Sequence, residues 1–322
     1  MIERELSFYS AGLKLAGTLA IPAGEGPFPA ALLIVGSGMV DRNENHKSMP
    51  MNVYNELAHH LAGLGIASLR FDKRGVGASE GSFLTAGFFD NVADATAAFS
   101  TLRELPEIDG DRVALIGHSE GALIATRMAA EGVPASGIAL LAGTAQSGEA
   151  VLKWQGETVV QHLPGFQRRL MRLLRIDPAR TQAKLLSRIR SCDKAVMRVQ
   201  LVVKLNAKWM REFIDYNPAT DLPRITIPIL AVTGSNDIQV DPRDIELMRK
   251  NAYRAPFEGH VVSEVSHILR RGIPGTSDYK RQVREPLDTG VVSLLLQWIE
   301  RVTGSAETRS STSFSEPVLP MP

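Results

Sequence analysis

The chain of 322 residues has a single cysteine, Cys192, so no intrachain disulfide can exist. That usage suits a reducing cytosol, and a cytoplasmic location is expected. No apolar run approaches the roughly 18 residues that a membrane-spanning helix needs, so no membrane partner is expected. The opening MIERELSFYS is charged and lacks the apolar centre of a secretory signal peptide. Neither sign of charge prevails, since 36 Lys and Arg stand against 35 Asp and Glu. Nothing in that balance points to nucleic acid. Metal-ligand spacing is also missing: His59 and His60 lie on a helical stretch, His162 is remote, and no cysteine pair accompanies them. Gly75 and Gly77 belong to neither a Gly-Lys-Ser/Thr phosphate loop nor a full dinucleotide fingerprint. No metal and no cofactor are expected.

What is present is ordinary globular material, 44% hydrophobic and 22% charged. ELSFYS and LKLAGTLAIP read as a hairpin across Ala11-Gly12. Short apolar runs then alternate with helical spacing: AALLIV, the helix PMNVYNELAHHLAGLG, IASLRF, the helix FFDNVADATAAFSTLREL, DRVALIG, the helix EGALIATRMAAEG and SGIALLAG. The alternation resumes with IPILAVTGSND, the helix DPRDIELMRKNA, GHVVSEVS and the helix LDTGVVSLLLQWIERV. It predicts an α/β protein with an eight-stranded, mostly parallel sheet covered on both faces, the first two strands antiparallel. Residues 146–216 interrupt it with segments read as helical, including ARTQAKLLSRIRSCDKAVMRVQLVVKL, and with no strand candidate of comparable strength. Over residues 150–215 there are 14 Lys or Arg against five Asp or Glu. The expected division is a core of residues 1–145 and 217–303, a helical cap of 146–216, and a Ser/Thr/Pro-rich tail of 304–322 read as disordered.

IGHSEGA, residues 116–122, places Ser119 between a strand and a helix. Gly117 and Gly121 flank it where a side chain would clash in a tight strand-to-helix turn. A serine nucleophile needs a base, usually a histidine oriented by a carboxylate. In a parallel sheet such groups collect beyond the carboxyl ends of strands. Asp237 follows PILAVT and His267 follows VVSEV, in the order serine, acid, histidine. Asp241 and Asp244 are rivals placed to favour a helix start. His260 is read at the beginning of the last strand, and His118 as packed inside the turn.

The whole resembles the α/β-hydrolase superfamily over most of residues 1–302, and in particular bacterial esterase-like members. The loop VGSGMVDRNEN, residues 35–45, is similar to their HGSGPxDRDE-type loop, with Val35 where histidine is common. FDKRGVGAS, residues 71–79, resembles their turn after the fourth strand. WMREFIDYNPATDLPRITIPILAVTGSNDIQV also fits, with Asn217 where the group commonly has Asp. The resemblance implies an oxyanion hole made by the backbone N–H groups of Ser37, or alternatively Gly38, and of Glu120. It implies hydrolysis of small-molecule carboxylic esters through Ser119, His267 and Asp237. Thioester or amide cleavage, acyl transfer or lyase chemistry on the same scaffold, and a non-catalytic binding role stay open. A homo-oligomer is compatible with the sequence.

Asp72 and Arg74 are expected to form an ion pair or anchor a turn. Asp41 and Arg42 either frame the loop after AALLIV or are solvated. Arg168, Arg169 and Arg172 either face water or attract an anionic acyl group. Leu170, Leu173, Leu174, Trp209 and Phe213 are expected to pack the insertion onto the core.

Overall fold

A computed structural model describes residues 1–163, 165, 166, 169, 173, 177–199, 203–273 and 278–304. β1 (Ile2–Ser10) and β2 (Leu13–Ile21) pair across Ala11 and Gly12. Both turn residues have left-handed φ, 48° and 79°, the geometry that matches the twist of a tight hairpin. β3 (Phe28–Ile34), α1 (Val53–Gly63), β4 (Ala67–Phe71), α2 (Phe88–Arg103), β5 (Ile108–His118), α3 (Glu120–Ala130) and β6 (Ile138–Leu141) follow. The insertion holds α4 (Gly148–His162), α5 (Pro178–Arg190), β7 (Val196–Val199), β8 (Val203–Asn206) and α6 (Ala207–Asp215). The chain then returns through β9 (Ile229–Gly234), α7 (Asp244–Asn251), β10 (Phe257–Val262) and α8 (Thr289–Thr303).

Eight strands form one sheet in the order β1-β2-β4-β3-β5-β6-β9-β10. β2 runs antiparallel to both β1 and β4, and the other neighbours are parallel. The central strands carry apolar runs, such as residues 30–34 and 113–116, because both of their faces are covered there. Side chains alternate between the two: Leu32, Leu115 and Leu140 join α2, α3 and α7 in one core. Leu33, Ile116 and Leu141 join α1 and α8 in the other. β5, β6, β9 and β10, being parallel, deliver their following loops to one end of the sheet.

The insertion departs from expectation. α5 stops at Arg190, and β7 pairs antiparallel with β8 in a segment expected to be helical. Val196, Val199 and Val203 there are β-branched, and their preference for extended backbone outweighs the helical spacing of the Lys and Arg residues. Leu186, Ile189 and Ile214 form a small apolar cluster of the insertion's own. Phe213 is buried in the main core with Trp209 packed against it, as expected, whereas Leu173 is 78% exposed. Arg169 faces solvent. Arg168, Leu170, Arg172, Leu174 and the tail from 305 to 322 lie outside the described residues, as does the side chain of His162. Among the described residues no helix is long and apolar enough to cross a membrane.

Candidate active site

Ser119 occupies the single residue between β5 and α3, at φ 55° and ψ −116°. A non-glycine residue rarely adopts such backbone, and strain of this kind collects at functional turns. The reversal is so tight that a Cβ on Gly117 would lie 2.1 Å from the Gly121 carbonyl oxygen. A Cβ on Gly121 would lie 1.8 Å from the Ile34 carbonyl oxygen. The Ser119 N–H donates to the Leu141 carbonyl of β6 at 2.9 Å, which fixes the turn to the sheet. Glu120 begins α3, so its N–H has no carbonyl four residues earlier within the helix and sits at the positive end of the helix dipole.

The loop after β3 reaches the same place. A Cβ on Gly36 would approach the Ser119 Cβ to 3.3 Å. Glu44 Oε1 accepts the Gly36 N–H at 2.7 Å, and Lys73 Nζ donates to the Gly36 carbonyl at 2.7 Å. The Gly36 amide is thereby committed, and Ser37 carries the next N–H along the loop. Gly38 has φ 93°, a conformation suited to glycine. Val35 is buried in the core.

The structure brings Asp237 and His267 together. His267 Nδ1 lies 2.8 Å from Asp237 Oδ2, with both side chains buried. Asp237 Oδ1 accepts the N–H groups of Gln239 and Val240 at 2.7 and 2.9 Å, so the carboxylate cannot rotate freely. β10 ends at Val262, earlier than the sequence suggested, and His267 sits in a tight turn closed by the Val265–Arg271 bridge. Ser235 and Asn236 donate backbone N–H groups to Val262 and Val265, tying the Asp237 loop to the His267 loop. Among the described residues no hydrogen bond joins the Ser119 hydroxyl to the His267 ring, and such bonds are often long before substrate binds.

The rivals are engaged elsewhere. Asp241 holds the Arg243 guanidinium and N–H. Asp244, in the first turn of α7, bonds Thr144 and Gln146 rather than the helix end, and burial pushes its carboxyl above the ordinary range. His260 lies within β10 opposite Val232, not at the start of the strand, and its Nε2 meets Glu258. Asp72 and Arg74 do not pair with each other. Asp72 takes Arg42, through its N–H at 2.8 Å and its guanidinium at 2.7 Å, so Arg42 is not a solvated loop residue. Arg74 forms a bidentate pair with Asp94, both bonds 2.8 Å. Asp41 accepts the N–H groups of Asn43 and Asn45 and shapes the loop.

Further side chains surround the turn. Glu120 is buried, and its carboxylate receives Trp209 Nε1 at 2.5 Å, Asn91 Nδ2 at 3.0 Å and Lys73 Nζ at 3.5 Å. Glu44 and Lys73 stood inside the conspicuous loops VGSGMVDRNEN and FDKRGVGAS, but nothing in their spacing revealed their partners. Asn91, near the start of α2, carried no signal. A cavity of about 540 Å³ opens on the His267 loop, lined by Glu264, Arg271, Asp278, Gln282 and Asp288 among others, and none of Ser119, Asp237 and His267 lines it.

The family model described as serine aminopeptidase, S33, matches residues 47–271. Esterase EstD of Thermotoga maritima is 28% identical over 287 residues, which take in 88% of this chain and 65% of that protein. The chain thus spans less than two thirds of that relative's length. Among solved structures, the alpha/beta hydrolase GrgF from Penicillium sp. sh18 superposes with a TM-score of 0.63 at 15% identity, covering 95% of this chain and 100% of that one. A Pyrococcus furiosus esterase superposes with a TM-score of 0.60 at 17% identity, covering 92% of each chain. The matched sequence, the eight-stranded sheet and the strained turn at Ser119 agree, and the chain belongs to the serine aminopeptidase S33 family, with the α/β-hydrolase fold.

Proposed function

We propose that this chain is a serine hydrolase of small-molecule carboxylic esters. The observation that carries the reading is the buried 2.8 Å bond between His267 and Asp237, held at the end of the sheet where Ser119 is strained into its turn. His267 Nε2 takes the Ser119 proton as the hydroxyl oxygen attacks the ester carbonyl. Asp237 holds the imidazole in the tautomer that leaves Nε2 free and stabilises its charged form. The N–H groups of Ser37 and Glu120 receive the developing oxyanion, each worth about 10²–10³ in rate. His267 returns the proton to the departing alcohol, and a water that it then activates hydrolyses the acyl-enzyme. These steps use only side chains, backbone and water.

Residues 1–145 and 217–303 form the catalytic core in this reading, and 146–216 form a cap that selects the acyl and alcohol groups. The single cysteine supports action in a reducing cytosol. A second reading, cleavage of N-terminal aminoacyl amides, is favoured by the family description and needs the same triad. The relative named as an esterase favours the ester. Purified protein assayed on p-nitrophenyl butyrate and on aminoacyl p-nitroanilides separates the two. Ser119→Ala is expected to lower the preferred activity by at least about 10³-fold with unchanged circular dichroism. Retained activity in that variant overturns the proposal.

A further inference from the structure

His118 is buried beside the candidate nucleophile with both ring nitrogens engaged. Nδ1 lies 2.9 Å from Glu44 Oε1, and Nε2 lies 2.8 Å from the backbone oxygen of His267. The carbonyl oxygen of His267 can only accept. Glu44 Oε1 already accepts the Gly36 N–H at 2.7 Å, and an ionised oxygen accepts two such donors well, whereas a hydroxyl oxygen there would be a poor acceptor for that short bond. The contacts are best satisfied when both nitrogens of His118 donate, and an imidazole that donates from both is an imidazolium. Glu44 is placed to balance the charge at the cost of a left-handed φ of 65°. The His118 and His267 rings stand 5.0 Å apart between centroids.

We propose that His118 is a charged positioning residue: its Nε2–H anchors the His267 backbone, and its positive charge opposes a second charge on the neighbouring His267 ring. The second half rests on His267 being the general base.

The surroundings are consistent with a retained charge. Burial by itself favours the neutral ring, but the Glu44 carboxylate, the His267 carbonyl and the charge of Asp237 outweigh it and hold His118 above the ordinary histidine range. On α1, Tyr54 gives its hydroxyl proton to the Ile34 carbonyl, and burial pushes its pKa well up, so it stays neutral. Arg270, beyond His267, pairs with Glu56 of α1. Lys73, after β4, is taken by Gly36 and Glu120. Glu44 is thus the one carboxylate bonded directly to the His118 ring among the described residues.

Two measurements test the proposal. Proton–nitrogen NMR spectra of the intact chain, with His118 assigned by the His118→Gln variant, should show both ring nitrogens protonated from about pH 5 to pH 9. A neutral tautomer within that range overturns the proposal. The acid limb of kcat/KM should move up by at least about half a pH unit in His118→Gln, since a like charge near His267 is removed and Glu44 is left unbalanced. An unchanged limb in active protein overturns it as well. If His118→Gln does not fold, Glu44→Gln, which keeps an acceptor for Gly36, serves instead, and His118 should then titrate within that range. Continued double protonation in Glu44→Gln overturns the role of Glu44. A wild-type chain that hydrolyses neither ester nor amide sinks the proposed function, while the spectrum still decides the charge of His118.

Discussion

The indole N–H of Trp209 donates to the carboxylate of Glu120 at 2.5 Å, joining the insertion to the residue that follows Ser119. In the proposed mechanism the backbone N–H of Glu120 receives the oxyanion, so a side-chain bond to α6 bears on the placement of that donor. The indole also stacks on Phe213, with centroids 4.9 Å apart and an interplanar angle of 8°. Asn206 anchors the start of α6 to the Phe83 and Ala86 carbonyls at 2.6 Å each. α6 is therefore a fixed buttress rather than a free flap.

Trp209→Phe keeps the aromatic stack and removes the donor. A buried carboxylate that loses one hydrogen bond costs about 1–3 kcal/mol. Asn91 and Lys73 remain, so the lower part of that range is expected in urea denaturation, together with a several-fold fall in kcat on an ester substrate. Unchanged stability and unchanged kcat would show that the indole bond contributes nothing.

Gly121→Ala puts a methyl group 1.8 Å from the Ile34 carbonyl oxygen, a backbone atom that no rotamer change can move. The turn must open, and a loss of about 3 kcal/mol or more is expected, with hydrolysis abolished. Gly63→Ala is the control. It ends α1, meets nothing within 4 Å, and should be neutral or stabilising by up to about 1 kcal/mol. Equal thermal midpoints for Gly121→Ala and wild type would refute the steric account.

Asp237→Asn preserves shape but favours the wrong imidazole tautomer. The expected result is a fall in kcat of about 10⁴ with a much smaller change in KM, read by steady-state kinetics near neutral pH. Full activity in this variant would reassign the acid.

Asp90 links α2 to the insertion through Lys208 Nζ at 2.6 Å. Burial alone would raise its carboxyl, but the Gly87 N–H, Lys208 and Arg74 outweigh it and hold it below the ordinary aspartate range. A lowered acid contributes stability that is complete above its unfolded pKa, about 3.9, and is lost as pH falls through the folded value. Asp90→Asn should therefore cost about 1 kcal/mol at pH 7, and the gap from wild type should close below about pH 4. A gap that is constant with pH would show that charge is not the source.

The sheet was legible because its strands are short, apolar and punctuated, and because alternation with helices leaves few ways to bury them. The candidate triad was legible for a related reason: Ser119, Asp237 and His267 each stand just beyond such a run, in one chain order. The hairpin of β7 and β8 was not, since Val196–Val199 and Val203–Asn206 lie in a stretch where helical spacing of Lys and Arg competes with β-branched residues. Asp72 and Arg74 do serve in ion pairs and in anchoring a turn, but their partners, Arg42 and Asp94, were not legible, because adjacency in sequence says little about which way side chains leave a turn.

The sequence by itself determined the class of fold, the end of the sheet where reactive groups gather and the need for glycine at 117 and 121, since these follow from local periodicity and backbone sterics. Only the tertiary structure decided which partners Glu44, His118 and Glu120 take. Their partners come from α2, α6 and the loops after β3, β4 and β10, up to 149 residues away in the chain. Whether a buried charge is paired depends on that convergence, and so does the price of leaving it unpaired.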